Sequence, residues 1–308
     1  MYSEAEISNK VIRAKLHLPD PEKGYYRGTR FDWSGVISSL EFDGHQYFGP
    51  WFEYHNPLKH DGIVGPAEEF QTADGGLGYA EVASGGTFIR IGVGVVRKPD
   101  EAAYRRFGTY ELVDPGKWSI NQKSDAIEFK HEVAHQSGYA YSYKKTIRLE
   151  ADRPRLSLQH TLKNTGARTI ETPHYNHNFF VIDGQPTGPD FFIEFPFELE
   201  AADDLKGLAD ICGGQIICPR ELQKGQSILT SLNGFGDSIE EHRITIENRK
   251  TGAGVRVVGN QPLSHLVFWS IRATICPEPY VSVVIRPGSE FSWETIYEFY
   301  SFTPARPA

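Results

Sequence analysis

Short runs of alternating or continuous β-type residues, each closed by glycine, proline, asparagine or aspartate, follow one another from residue 79 almost to the C-terminus. Residues 88–97, 126–133, 139–150, 156–164, 191–197, 243–247, 263–271 and 290–302 are the plainest of them, with shorter runs at 79–83, 108–113, 118–121, 228–232, 254–258 and 280–285. A chain punctuated this often has no room for long helices, and its strands must pair through many short turns. The 30 glycines and 19 prolines supply those turns, and an aromatic content of 13% suits strands that pack on a core. No convincing amphipathic helix is present; residues 205–211 come nearest and are short. The pattern predicts an all-β protein, a large antiparallel β-sandwich or barrel rather than a βαβ fold. No linker, repeat or low-complexity tract interrupts it, so residues 1–308 are expected to form a single domain.

Bulk composition narrows the function classes. With 39% hydrophobic and 23% charged residues the chain can bury a sizeable core. A net charge of -8 argues against nucleic acid or an anionic membrane as partner. There is no apolar run long enough for a transmembrane helix, and the polar, acidic first ten residues do not resemble a secretory signal. Three cysteines, Cys212, Cys218 and Cys276, fit free thiols in a reducing compartment, so a cytoplasmic location is expected. Cys212 and Cys218 lack the spacing and the second ligand pair of a zinc site, so no zinc site is expected from them.

Local signals predict particular connections. Residues 36–42 alternate and run into Asp43-Gly44, a hairpin signature. Arg286-Pro287-Gly288 is a turn that predicts pairing between the last two strands. Residues 47–70 are irregular, broken by Pro50, Pro57 and Pro66, yet too aromatic to be disordered; they are expected to form an ordered loop over a site.

The richest stretch is Thr172-Pro173-His174-Tyr175-Asn176-His177-Asn178-Phe179-Phe180. If it is extended, His174, Asn176 and Asn178 share one face and Tyr175, His177 and Phe179 the other. An imidazole flanked by rings suits a flat, polyhydroxylated ring, and Asn176 offers both a donor and an acceptor. The same residues also suit the polar rim of a β-core. His174 and His177 would converge on a metal in a helix, but in a strand they diverge. Other candidates to line a site for such a polyhydroxylated ring are Arg27, Arg30 and Trp33, which mix guanidinium groups with a ring, together with His55, His60, Asp237 and Trp269.

Three segments, in order, carry a family resemblance. Asn176-His177-Asn178-Phe179-Phe180 resembles the Asn-His-x-Tyr-Phe element of the aldose 1-epimerase (galactose mutarotase-like) family. Ile275-Cys276-Pro277-Glu278-Pro279-Tyr280 resembles the segment that holds that family's catalytic glutamate, and Arg286-Pro287-Gly288 with Tyr297-Glu298-Phe299 resembles its closing turn and last strand. The resemblance implies the family's β-supersandwich, a small-molecule sugar as substrate, and interconversion of α and β anomers by ring opening, with His177 as general acid and Glu278 as general base and no cofactor. The family's early His-Gly-Gly loop and Gly-Arg segment are not matched cleanly; residues 57–70 occupy that region. The two catalytic groups are expected on opposite sides of the sugar, facing each other across its width. A non-catalytic carbohydrate-binding protein on the same fold is the alternative; a hydrolase or lyase would call for a second acid at a defined separation.

Overall fold

The computed structural model describes residues 2–72, 75–100 and 104–304. Among these, strands form a ten-stranded, a six-stranded, a four-stranded and a three-stranded sheet, and every pairing is antiparallel. The only helical pieces among the described residues are two three-residue 3-10 turns. No described helix is long and apolar enough to cross a membrane.

The two large sheets pack face to face. In the six-stranded sheet, Ile170–Phe179 lies between Thr274–Ile285 and Gly65–Phe70, and His265–Ile271 and Ser227–Asn233 extend it beyond Thr274–Ile285. The long strand Glu290–Ser301 runs mid-sheet in the ten-stranded layer, between Arg155–Asn164 and Ala253–Gly259. Alternate residues of each sheet, among them Leu266, Phe268 and Ile275 from one and Val255, Val257, Tyr297 and Phe299 from the other, interleave in a common apolar core. Burying these side chains is the main favourable term holding the layers together.

Several sequence expectations need correction. Thr274–Ile285 and Glu290–Ser301 do not pair: the Arg286-Pro287-Gly288 turn carries the chain from one layer to the other, because each strand already has two lateral partners. Residues 79–83 form turns rather than a strand, only Leu112 and Val113 of the 108–113 run are extended, in the strand Leu112–Asp114, and 205–211 hold turns leading into a short strand. Residues 49–64 do form the ordered loop, but Gly65–Phe70 is a fully buried strand at the edge of the six-stranded sheet. The Asp43-Gly44 hairpin is as expected, with positive φ at both residues and Val36–Phe42 paired to His45–Phe48.

Polar groups also cross the interface between the layers. The Trp293 Nε1–H donates to His174 Nδ1 at 3.1 Å, and the Tyr297 hydroxyl donates to Asn178 Oδ1 at 2.7 Å. At the centre lies Glu68, fully buried, with Lys145 Nζ 2.5 Å from one oxygen and His160 Nε2 3.1 Å from the other. Burial alone would raise the Glu68 carboxyl, but His160 and Lys145 outweigh it and hold the group well below the usual carboxylate range. Burial raises the neighbouring Asp32, only partly offset by Lys145 at 3.8 Å. Gly92 has φ +77°, and a Cβ there would lie 2.5 Å from Asp32 Oδ1, so glycine lets the hairpin turn close over this carboxylate. Glu68, His160 and His174 place one potential ligand atom each within 4.8 Å of one another, the spacing of a metal site. The Lys145 ammonium already sits on the Glu68 carboxylate, so the cluster reads as internal charge pairing.

Candidate functional site

Strand alternation decides which side chains can meet a ligand. His174, Asn176 and Asn178 point into the space between the sheets, where their partners are Trp293, Glu68 and Tyr297. Tyr175, His177 and Phe179 point the other way, onto the outer face of the six-stranded sheet. On the neighbouring strand Cys276 and Tyr280 share that outer face. The pairing Tyr175–Tyr280 and the later Phe180–Ile275 bridge keep one register, which sets His177 beside Glu278. His177 Nε2 lies 3.2 Å from Glu278 Oε1.

Rings frame this pair. His177 stacks on Phe179 with centroids 3.9 Å apart, Trp51 stacks on the other side of Phe179 at 5.0 Å, and Trp269 meets His177 edge-on at 5.4 Å. Tyr280 stacks on Tyr175 at 4.2 Å, and its hydroxyl lies 3.4 Å from Glu278 Oε2. The two groups open onto a hollow of about 830 Å³, roofed by the loops that carry Trp51, His60, Arg106 and Phe107 and bounded on the far strands by Leu229 and His265. That volume takes a sugar ring with room for a substituent.

Burial sets the electrostatics. Desolvation pushes the Glu278 carboxyl up to about 7, although Arg30 and Arg106 pull it down. Desolvation, reinforced by the same two arginines, drives His177 well below the usual imidazole range, so its ring is neutral at physiological pH. Glu69, next to Glu68 in sequence but on the outer face, is the counter-ion of the arginines: Arg30 Nε at 2.8 Å, Arg90 Nη2 at 3.3 Å and Arg106 Nη2 at 3.6 Å. Burial raises it, but the three guanidinium groups outweigh that and bring it to about 2.

Of the residues singled out from sequence, His177, Glu278, Arg30, His60 and Trp269 all line the hollow. Arg27 does not line it. Trp33 is buried in the cluster beneath the loops, its Nε1–H donating to Gly28 O at 2.8 Å. Asp237 is exposed on a loop away from the hollow. His55 stacks on Tyr25 instead, at 3.9 Å. Asn176 belongs to the inner face, where its Nδ2–H donates to Glu68 Oε1 at 2.7 Å; one residue of strand phase separates it from the site. Asn176→Ala is therefore expected to cost about 1–3 kcal/mol of stability, because a buried carboxylate loses a donor. Asp237→Ala should change it by less than about 0.5 kcal/mol. Urea denaturation of both variants checks this, and an unaffected Asn176→Ala protein would contradict the inner-face role. Arg106, Phe107, Asp61, Asp203 and Trp51 line the hollow without having been singled out. Trp51 and Asp61 belong to the stretch expected to form a loop over a site; for Arg106, Phe107 and Asp203 the sequence offers only loop arginines, rings and acids, which many surface segments share.

The protein is thus a two-layer antiparallel sandwich with a buried imidazole–carboxyl pair on the outer face of its six-stranded sheet, at a hollow open to one side and roofed by loops. The chain has the galactose mutarotase-like fold. A galactose mutarotase related enzyme from Lactobacillus acidophilus superposes with a TM-score of 0.59 at 13% identity, covering 97% of this chain and 98% of that one. A galactose mutarotase-like protein from Lactobacillus casei gives 0.57 at 12% identity, covering 97% and 100%. An aldose epimerase homologue from C. elegans gives 0.52 at 14% identity, covering 98% and 100%. No protein-family model matches the sequence, and no curated protein does.

Proposed function

We propose that this protein is an aldose 1-epimerase-like isomerase that interconverts the α and β anomers of a sugar, with Glu278 as base and His177 as acid. The observation that carries this reading is the 3.2 Å contact between His177 Nε2 and Glu278 Oε1, both buried, at the floor of a ring-lined hollow. The reaction moves one proton between two oxygens bonded to the same carbon, the anomeric hydroxyl and the ring oxygen. Such oxygens lie close together, so groups hydrogen-bonded to each can stand on opposite sides of the ring or side by side, and a pair in contact can reach both from one side. The expectation of two groups facing each other across a sugar's width is not met: register places the imidazole and the carboxyl in contact on neighbouring strands, so a sugar would meet both from one side.

In the forward step Glu278 takes the C1 hydroxyl proton, the bond from C1 to the ring oxygen breaks, and His177 gives its Nε2 proton to that oxygen. Glu278 then refills His177 across their contact, so the pair ends as it began and the net change is one proton moved between substrate oxygens. The aldehyde rotates and closes on its other face by the reverse steps. A neutral imidazole can serve as the electrophile where burial keeps it unprotonated. A carboxyl near 7 is suited to a base working at neutral pH.

The test is polarimetry or NMR on freshly dissolved α-glucose and α-galactose. Acceleration of either by the protein supports the reading; acceleration of no aldose, neutral or charged, while sugar still binds would leave a binding protein. The pH profile is a second expectation. Only ionised Glu278 accepts a proton, so kcat/KM should climb about tenfold per pH unit below about 7 and level off above it. A profile flat from pH 5 to 8 would remove Glu278 from the base's role.

A further inference from the structure

We infer that the sugar handled here carries an oxyanion, a carboxylate or a phosphate, and that Arg30 and Arg106 bind it at the wall of the hollow beside His177 and Glu278. This rests on the reading of that hollow as a sugar site, and it adds the class of sugar.

Three guanidinium groups converge on one carboxylate, Glu69. Arg90 is used up in that structure: its nitrogens also donate to the carbonyls of Thr29, Gly75 and Arg30 and to the Tyr104 hydroxyl, and it does not line the hollow. Arg30 and Arg106 both line it. Their Nη2 groups meet at a single phenol oxygen, that of Tyr175, at 2.8 Å and 3.1 Å, so two like charges are held side by side. The Tyr175 hydroxyl stays neutral, since burial raises it well above its ordinary range, and it adds no negative charge. Among the described residues no ion pair joins Glu278 to either arginine, and Asp61, on the same wall, is engaged by Lys59 at 3.0 Å. Counted together, Arg30, Arg90 and Arg106 against Glu69 and ionised Glu278 leave one net positive charge on this wall, with Asp61 matched by Lys59; the other lining carboxylate, Asp203, sits beside Thr230 on the far strands.

The donors are also incompletely used. Arg106 Nε is buried with no hydrogen-bond partner among the described residues. Arg30 makes side-chain hydrogen bonds through Nε and Nη2 to Glu69 and Tyr175. The Arg30 and Arg106 guanidinium carbons lie over the Phe107 ring, 5.0 Å and 5.5 Å from its centroid, and their hydrogen bonds to Tyr175 orient them. Two oriented forks with spare N–H groups suit planar or tetrahedral oxyanions, and a neutral hydroxymethyl group would leave the surplus charge unanswered.

The experiment compares galactose, galacturonate and galactose 6-phosphate, by calorimetric binding and by anomer exchange, on wild type and on Arg106→Gln and Arg106→Lys. Wild type is expected to favour one of the anionic sugars over galactose, and which one is favoured separates carboxylate from phosphate. Arg106→Gln should cut the ratio of anionic to neutral binding constants by about 10- to 100-fold, the value of a charge-assisted hydrogen bond. Arg106→Lys should recover part of the ratio, because charge is kept and the fork is lost. Anomer exchange of galactose with no preference for either anion would overturn the anion subsite and leave the proposed activity standing. Anion-selective binding that depends on Arg106, with exchange of none of the three sugars, would uphold the subsite and overturn the activity.

Discussion

Glu278→Gln is expected to slow anomer exchange by about 10²–10⁴-fold, the value of one positioned acid–base group. Glutamine keeps the shape and can still hydrogen-bond His177, but it accepts no proton at any working pH. Sugar binding should survive, so the loss should fall on kcat rather than KM. The same substitution should stabilise the fold at high pH. The folded carboxyl titrates near 7, above the value of about 4.5 expected for an unfolded chain, so the folded state holds more protons between those limits. Stability is thus lost as pH rises from 4.5 to 7, and above 7 the cost of the buried charge is fully present, about 3–4 kcal/mol by linkage. Glutamine carries no such cost. A variant that is nearly inactive at pH 8 yet melts higher than wild type is the expected result. Exchange within a few-fold of wild type would remove Glu278 from the chemistry.

Lys145→Met should be the most damaging change away from the hollow, by about 3–5 kcal/mol. Lys145 is buried between the layers, with its ammonium on Glu68, 3.8 Å from Asp32 and donating to Ser34 O at 2.8 Å. Methionine fills the space, leaves Glu68 with only the imidazoles of His160 and His174, and leaves Asp32 with no ion-pair partner among the described residues. The affinities of both carboxylates for protons then rise in the folded state, so the deficit should shrink as pH falls from 8 towards 5. Adding Glu68→Gln should restore part of the loss, because removing a buried pair together costs less than stranding one member. Urea unfolding at several pH values reads all of this. A Lys145→Met protein as stable as wild type at pH 8 would mean that the charges between the sheets are not coupled.

Much of the architecture was legible because it follows from local chemistry. Alternation in the 172–180 stretch separates His177 from His174 and Asn176, and the structure places them on opposite faces as the two-residue period requires. The Asp43-Gly44 hairpin follows from turn chemistry alone. Gly65–Phe70 was not legible as a strand. It reads Gly-Pro-Ala-Glu-Glu-Phe, and two adjacent glutamates signal solvent until the partners that neutralise them are known. Those partners, Lys145 and His160 for one and Arg30, Arg90 and Arg106 for the other, come from distant strands and loops. The turn at Arg286-Pro287-Gly288 was visible, but a turn does not say whether its strands share a sheet.

By itself, the sequence determined the β architecture, the division of each strand into two faces, and the candidacy of His177 and Glu278 through the segments that hold them. The first two depend on residue periodicity and turn residues within short windows; the third rests on the resemblance of those segments to a known family's. The tertiary structure alone decided that the imidazole and the carboxyl touch, that Asn176 and Trp33 serve the core while Arg106 serves the hollow, and that surplus positive charge lines one wall. Charge, burial and contact depend on which distant segments are packed together, and no short window of residues carries that information.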